Sequence, residues 1–239
     1  MRSAGTVALT GEAVAGHHSE GRSDLTKAKG EVAYCRRRAE AMLENASPLM
    51  DIYREDGAAR LNAFLLADSR TPGRRRHILH TPPLCTMEPE YLAALLEAQG
   101  LTEQERQRIC AYARTRREQL ETILLTDTVH LELPRLTEQA FAQFPPALPL
   151  SGLFYGEDVP YTYETYLAHL AQTEAFAAAH PRCELEFTGG GAFRNLQITI
   201  HEGQWAMVSK GKSPAIHFVI RHPKLRAAIE RFVPPVVEE

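Results

Sequence analysis

The sequence predicts an α/β (or α+β) fold, a mixed sheet with packed helices, preceded by an N-terminal coiled-coil-like helix. Three features lead to that expectation. A 3-4 apolar repeat opens the patterned part of the chain, amphipathic helical segments then alternate with short strand segments, and the last quarter is dominated by strand periodicity before one closing helix. Apolar residues make up 44% of the 239 residues and charged residues 24%, enough to bury a sizeable core and too ordinary for a fibre or a wholly disordered chain. The net charge of −3 excludes a chain whose main business is coating nucleic acid or an anionic membrane.

Three regions are expected: a disordered segment over 1–22, a dimerisation-type heptad helix over 23–47 and an α/β regulatory domain over 48–239. Residues 1–22 are rich in Gly, Ala and Ser without an apolar period, and no coherent apolar stretch marks a signal peptide. From there Leu25, Ala28, Val32, Cys35, Ala39, Met42 and Ala46 are spaced 3-4-3-4-3-4, a heptad seam. Ser23 or Asp24 offers a cap and Pro48 bars continuation. With Leu25 at a, Glu31 falls at g and Arg36 at e, the spacing that pairs charges between parallel chains. Two outcomes are open for this helix: it packs on its own domain, or it pairs with a second copy.

Leu61, Phe64 and Leu65 mark a helix over 58–67, and the basic run Arg70 to His77 leads into a short Ile78-Leu79 strand. Pro89 suits a first helical position and Gly100 a stop, which predicts a helix over 89–99. Thr102 with Glu105 forms a capping box ahead of Ile109, Ala113, Leu120, Ile123 and Leu124, so a long helix should end near Leu125. Val129, Leu131 and Leu133 alternate with His130 and Glu132 in a strand closed by Pro134. The uncharged stretch 139–156 carries too many Pro and Gly residues for a membrane helix and is expected to be a packed connection. A helix follows over 162–179, then strands over 184–188, 193–200, 204–210 and 215–220. Glu202-Gly203 is expected to be a two-residue hairpin loop, pairing Ile200 with Trp205 and Ile198 with Met207 on one side. His222-Pro223 opens a last helix with Leu225, Ala228, Ile229 and Phe232 on one face.

Chemical signals are few. Cys35, Cys85, Cys110 and Cys183 lie apart with no CxxC pair, which argues against a disulfide framework and for the cytoplasm. His77, His80 and Cys85 straddle rigid Pro82-Pro83 without a nearby carboxylate, so no metal site is expected, and no cofactor. Gly189-Gly190-Gly191 precedes a strand rather than a helix, so a phosphate-cradling loop is not expected there. Arg36, Arg37, Arg38, Arg74, Arg75 and Arg76 form two local basic clusters able to touch nucleic acid. Ser209, Lys210, Lys212 and Ser213 with His217 concentrate hydroxyls, ammonium groups and an imidazole around one turn, the candidate site for a small anionic effector. Ser209 and Lys212 also have the letters of an SxxK site, which requires a helix where strand and turn are expected. His222 and Lys224 match the opening of the phospholipase D-like HxKxxxxD signature, but the position of its acid is Ile229.

Three passages, "GRSDLTKAKGEVAYCRRRAEAMLENA", "HILHTPPLCTM" and "FRNLQITIHEGQWAMVSKGKSPAIHFVIRHPKLRAAIERFVPPVV", resemble the C-terminal regulatory region of bacterial XRE-type, phage-repressor-like helix-turn-helix transcriptional regulators. That resemblance implies a non-enzymatic, effector-sensing and dimerising domain and transfers no catalytic residue. Such regulators open with a compact DNA-reading domain. Nothing like it stands in Met1 to Gly21, so DNA is expected to be contacted only indirectly or through a missing N-terminal domain. A homodimer is expected from the heptad seam, in agreement with the resemblance, and no membrane partner from the composition. Its alternative is a degenerate phospholipase D-like phosphodiesterase or phosphoryl-transfer enzyme using His222, Lys224 and the 209–217 turn. An enzyme should gather several polar groups in one cleft, whereas a regulator should leave an apolar seam exposed on the first helix and lack such a cluster.

Overall fold

The computed structural model describes residues 6–11, 23–44, 46, 48–188 and 195–233, and it divides into two compact units, Met1–Pro48 and Leu49–Glu239.

In the first unit strand β1 (Ala8–Gly11) pairs antiparallel with β2 (Ser23–Thr26), Leu9 opposite Leu25, ahead of helix α1 (Lys29–Glu44). This corrects two expectations. Residues 8–11 are strand rather than disordered, while most of the rest of 1–22 lies outside the described residues. The heptad helix is also shorter than expected. The Thr26 hydroxyl accepts from the Ala28 amide and donates to the Glu31 carboxylate, and the Val32 amide donates to the Ala28 carbonyl, so the first turn winds only after Thr26. Leu25 is therefore a strand residue, 65% exposed, and Ala28 precedes the helix. Val32 is buried within the unit, where α1 packs on β1; of the rest of the seam Cys35 and Ala39 are half-buried and Met42 is exposed.

The second unit holds β3 (Met50–Tyr53), α2 (Ala58–Asp68), β4 (Arg75–Ile78), α3 (Pro89–Ala98), α4 (Glu103–Leu124), β5 (Val129–Pro134), α5 (Glu138–Gln143), α6 (Tyr163–Ala179), β6 (Cys183–Thr188), β7 (Leu196–His201), β8 (Trp205–Lys210), β9 (Ile216–Ile220) and α7 (Pro223–Glu230). Its seven strands run in the order β3-β9-β8-β7-β4-β5-β6. β4, β5 and β6 are parallel to one another and every other neighbouring pair is antiparallel, so the sheet is mixed and the fold is α/β. The parallel steps need long crossovers, which α3–α4 and α5–α6 supply, whereas β7, β8 and β9 follow as hairpins. β3 and α5 carry too few residues to show a period in sequence.

The β7–β8 hairpin departs from the expected register by one residue. Trp205 pairs with His201 and Ala206 with Ile200, because the loop has three residues, Gly203 takes φ +73 and the Gln204 amide donates to the His201 carbonyl. A one-residue slip turns each side chain to the opposite face. Ile198 and Ile200 therefore join Ile78 and Ala206 in a cluster beneath Ile229 and Phe232 at the α7 end, while Trp205 and Met207 point to the side covered by α2. On that same side Val129, Leu131 and Leu133 pack against α4 and α6. Among the described residues no helix is long and apolar enough to cross a membrane.

Candidate functional site

The register determines what lines the helix-covered face of the sheet. Running across it, Leu131 neighbours His77, His77 neighbours Thr199, and Thr199 neighbours Met207. Between this row and α2, α4, the Leu84–Thr86 turn and the Ser151–Leu153 turn lies a cavity of about 120 Å³. The long α4, whose start is held by the Thr102–Glu105 capping box, sends Tyr112, Arg116, Gln119 and Ile123 into it at 3–4 residue intervals.

Arg116 is the residue that gives the cavity its charge. Its guanidinium donates to the Gln119 side-chain carbonyl, and among the described residues no carboxylate pairs with it. Its helical neighbours differ: Arg106 pairs with Glu97 and Glu103, and Arg117 with Glu88 and Glu121. Arg75 also reaches the cavity, but it is 1% exposed and matched. Its Nε donates to Asp68 at 3.1 Å, and its remaining donors go to the carbonyls of Asp68, Thr71 and Gly73. The same Asp68 carboxylate accepts from His201 Nδ1 and Trp205 Nε1, both at 2.7 Å. That carboxylate is fully employed within the fold.

The other titratable groups on the cavity are held uncharged. Burial, aided by the positive charges of Arg116 and Arg75, lowers the His77 pKa to about 3, and its buried Nε2 has no hydrogen-bond partner. Burial likewise lowers His217 and raises the Cys85 thiol and the Tyr112 phenol. At neutral pH the cavity thus presents imidazole, thiol and phenol groups beside one unmatched guanidinium. A neutral thiol is a poor nucleophile, and a histidine with so low a pKa is a poor base. The turn forming one wall is anchored: His217 Nε2 donates to the Ser151 carbonyl at 3.1 Å, and Gln197 Nε2 donates to the Ser151 hydroxyl at 3.3 Å. Gly152 lies so close to Tyr112 that a Cβ would come within 2.1 Å of the phenol oxygen.

The effector turn expected from sequence is divided by strand geometry. Ser209 and His217 are paired inside, the Ser209 hydroxyl donating to His217 Nδ1 at 2.8 Å, and His217 alone of the five lines the cavity. Lys210 folds back onto the Pro214 carbonyl, and Lys212 and Ser213 are exposed outside. Ser209 lies on β8 and Lys212 beyond its end, so the helical spacing of an SxxK site is absent. Of the basic clusters, Arg36, Arg37 and Arg38 are exposed on α1. Arg74 is exposed but paired with Glu184. The nucleic-acid expectation is corrected for Arg75, which is buried on Asp68, and for Arg76, whose guanidinium pairs with the buried Glu132 and donates to the Phe232 carbonyl. His222 and Lys224 start α7 away from the cavity lining, with Ile229 packed toward the sheet. Among the described residues no three His, Cys, Asp or Glu side chains gather as a metal site. The Gly189–Gly191 loop lies outside the described residues.

Sequence reasoning missed Arg116, Tyr112, Gln119, Gln197, Thr199 and Ser151. One signal was present: Tyr112, Arg116 and Gln119 interrupt the apolar stripe of α4 rather than lying opposite it. No protein-family model matches the chain, and no curated protein matches it.

Proposed function

We propose that residues 49–239 form the effector-binding body of a regulatory protein and that the cavity is its effector site, taking a small anion through Arg116. The observation that carries this is a guanidinium without a counter-ion among the described residues, on a cavity where Arg75 is matched by Asp68 and the histidines, thiol and phenol are neutral. A partly buried cation of this kind is stabilised by an anion that enters beside it, and charge-assisted hydrogen bonds to guanidinium are the strong ones. The resemblance to XRE-type regulators points to transcription as the process regulated, with DNA read by a further segment or partner. Four scattered cysteines, none in a disulfide, favour a cytoplasmic setting. We propose in addition that the exposed side of α1 carrying Tyr34 and Met42 joins two copies, with the half-buried Cys35 beside them.

Polar groups do converge in one hollow, which the sequence-level contrast assigned to an enzyme. The specific observation favouring that second reading is that Cys85 and His77 share the cavity. Alkylation by iodoacetamide separates the two: a regulator's Cys85 reacts more slowly than a free thiol at pH 7, whereas a catalytic thiolate reacts faster.

The test of the effector reading is a thermal-shift and calorimetric screen of small carboxylates, sulfate and phosphate on the full chain and on Arg116→Gln. Wild type is expected to gain several degrees in Tm with at least one anion, and the variant to gain none. Equal shifts in both proteins, or none in either, would remove the proposal.

A further inference from the structure

Resting on the effector reading, we infer that the ligand is a short monocarboxylic acid with an apolar body, of about six non-hydrogen atoms. The cavity lining combines one unmatched charge with a largely apolar wall. Arg116 lines it together with Tyr112 and His77, and no carboxylate among the described residues opposes its guanidinium. Leu61 and Leu65 of α2 and Met207 of β8, members of one apolar cluster, line it too, as do Leu84, Leu120 and Ile123.

Charge limits the head group. One guanidinium lacks a counter-ion while Arg75 is already neutralised by Asp68, so the site matches a single negative charge. A dianion such as a phosphate monoester would bring one charge too many into a partly buried site, and a neutral ligand would leave Arg116 unmatched. A planar carboxylate suits the fork of a guanidinium. Size limits the body. A dry engineered cavity of about 150 Å³ takes benzene, with six heavy atoms, so one of about 120 Å³ admits a molecule no larger than that. An apolar body suits the leucine, isoleucine and methionine side chains that make up much of the wall.

The experiment uses the full chain with four probes: butyrate, its uncharged isostere butyramide, formate, and inorganic phosphate. Calorimetry is expected to show butyrate binding at least about tenfold more tightly than each of the other three, the range of one charged hydrogen bond or a few buried methylenes. Arg116→Gln should lose butyrate. Leu65→Phe, which narrows the cavity beside Leu61 and Met207, should weaken butyrate and leave the smaller formate unchanged; circular dichroism verifies that both variants are folded. If formate binds as well as butyrate, through Arg116, the apolar body falls, and if phosphate does, the monocarboxylate head falls; either way the inference fails while the anion site stands. If butyramide matches butyrate, or if no probe and no anion of the wider screen binds, both fall.

Discussion

Arg75 and Arg116 lie on the same cavity and differ in what opposes them. Asp68 neutralises Arg75 and also holds His201 and Trp205, so Asp68→Ala strands a buried guanidinium and frees two further donors. The expected loss is about 3–5 kcal/mol, read from the urea midpoint. Arg116→Gln breaks no ion pair and should cost less than about 1 kcal/mol in the unliganded protein. A loss as large as that of Asp68→Ala would mean that Arg116 serves the fold. The histidines give a pH dependence with a definite sign. Burial lowers the pKa of His77 to about 3, His80 to about 4 and His169 to about 3; His169 stays neutral between the Tyr161 hydroxyl and the Pro83 carbonyl. Above the ordinary histidine value of 6.5 both folded and unfolded chains are neutral at these sites, and nothing is lost. Below it the unfolded chain takes up protons that the fold refuses. Stability should therefore fall from pH 6.5 toward pH 4, by up to about 1.4 kcal/mol per pH unit for each histidine. Denaturant midpoints that stay flat over that window would contradict the buried neutral state.

Single elements act mainly through register. The extra loop residue between β7 and β8 places Met207 beside Thr199 on the cavity side and sends Ile198 and Ile200 to the α7 side. Both registers satisfy the alternation visible in the sequence; Gly203 in the left-handed region selects between them. Glycine matters still more before β4. Gly73 has φ +143, and a Cβ there would come within 2.3 Å of His201 Nε2, whereas Gly100, with φ +74, has open space around it. Gly100→Ala should cost about 1 kcal/mol from backbone strain alone, and Gly73→Ala at least about 2 kcal/mol more, because it also pushes His201 away from Asp68. Thermal denaturation of the pair tests this, and equal losses would mean that the Asp68 network is soft. Helix α4 carries the same lesson for side chains. Its capping box and apolar stripe were legible as a pattern, and Arg116 interrupts that stripe, yet only the sheet placed beneath it shows that no carboxylate meets its guanidinium.

At the scale of the whole chain, the two units make separate predictions. The proposed dimer rests on α1, where Met42 is 63% and Tyr34 57% exposed. Tyr34→Asp with Met42→Asp should halve the mass seen by light scattering while leaving the circular dichroism spectrum unchanged. A wild-type mass of one copy would end the dimer proposal. Val32 is unsuitable for this test because it is buried within its own unit, and a charge there would break that packing. Element type followed from local terms: the period of apolar residues, the Thr102–Glu105 cap, the prolines that bar continuation, and the strand alternation around Leu131. These are encoded within a few residues, so the sequence alone determined a mixed α/β body behind a helical N-terminal segment. Which face Trp205 and Met207 occupy, which arginine is matched by Asp68, and that His77, Tyr112 and Arg116 share one hollow were decided only by tertiary structure. Strand order and register bring together residues tens of positions apart, and the cost of burying a charge depends on partners that no local pattern records.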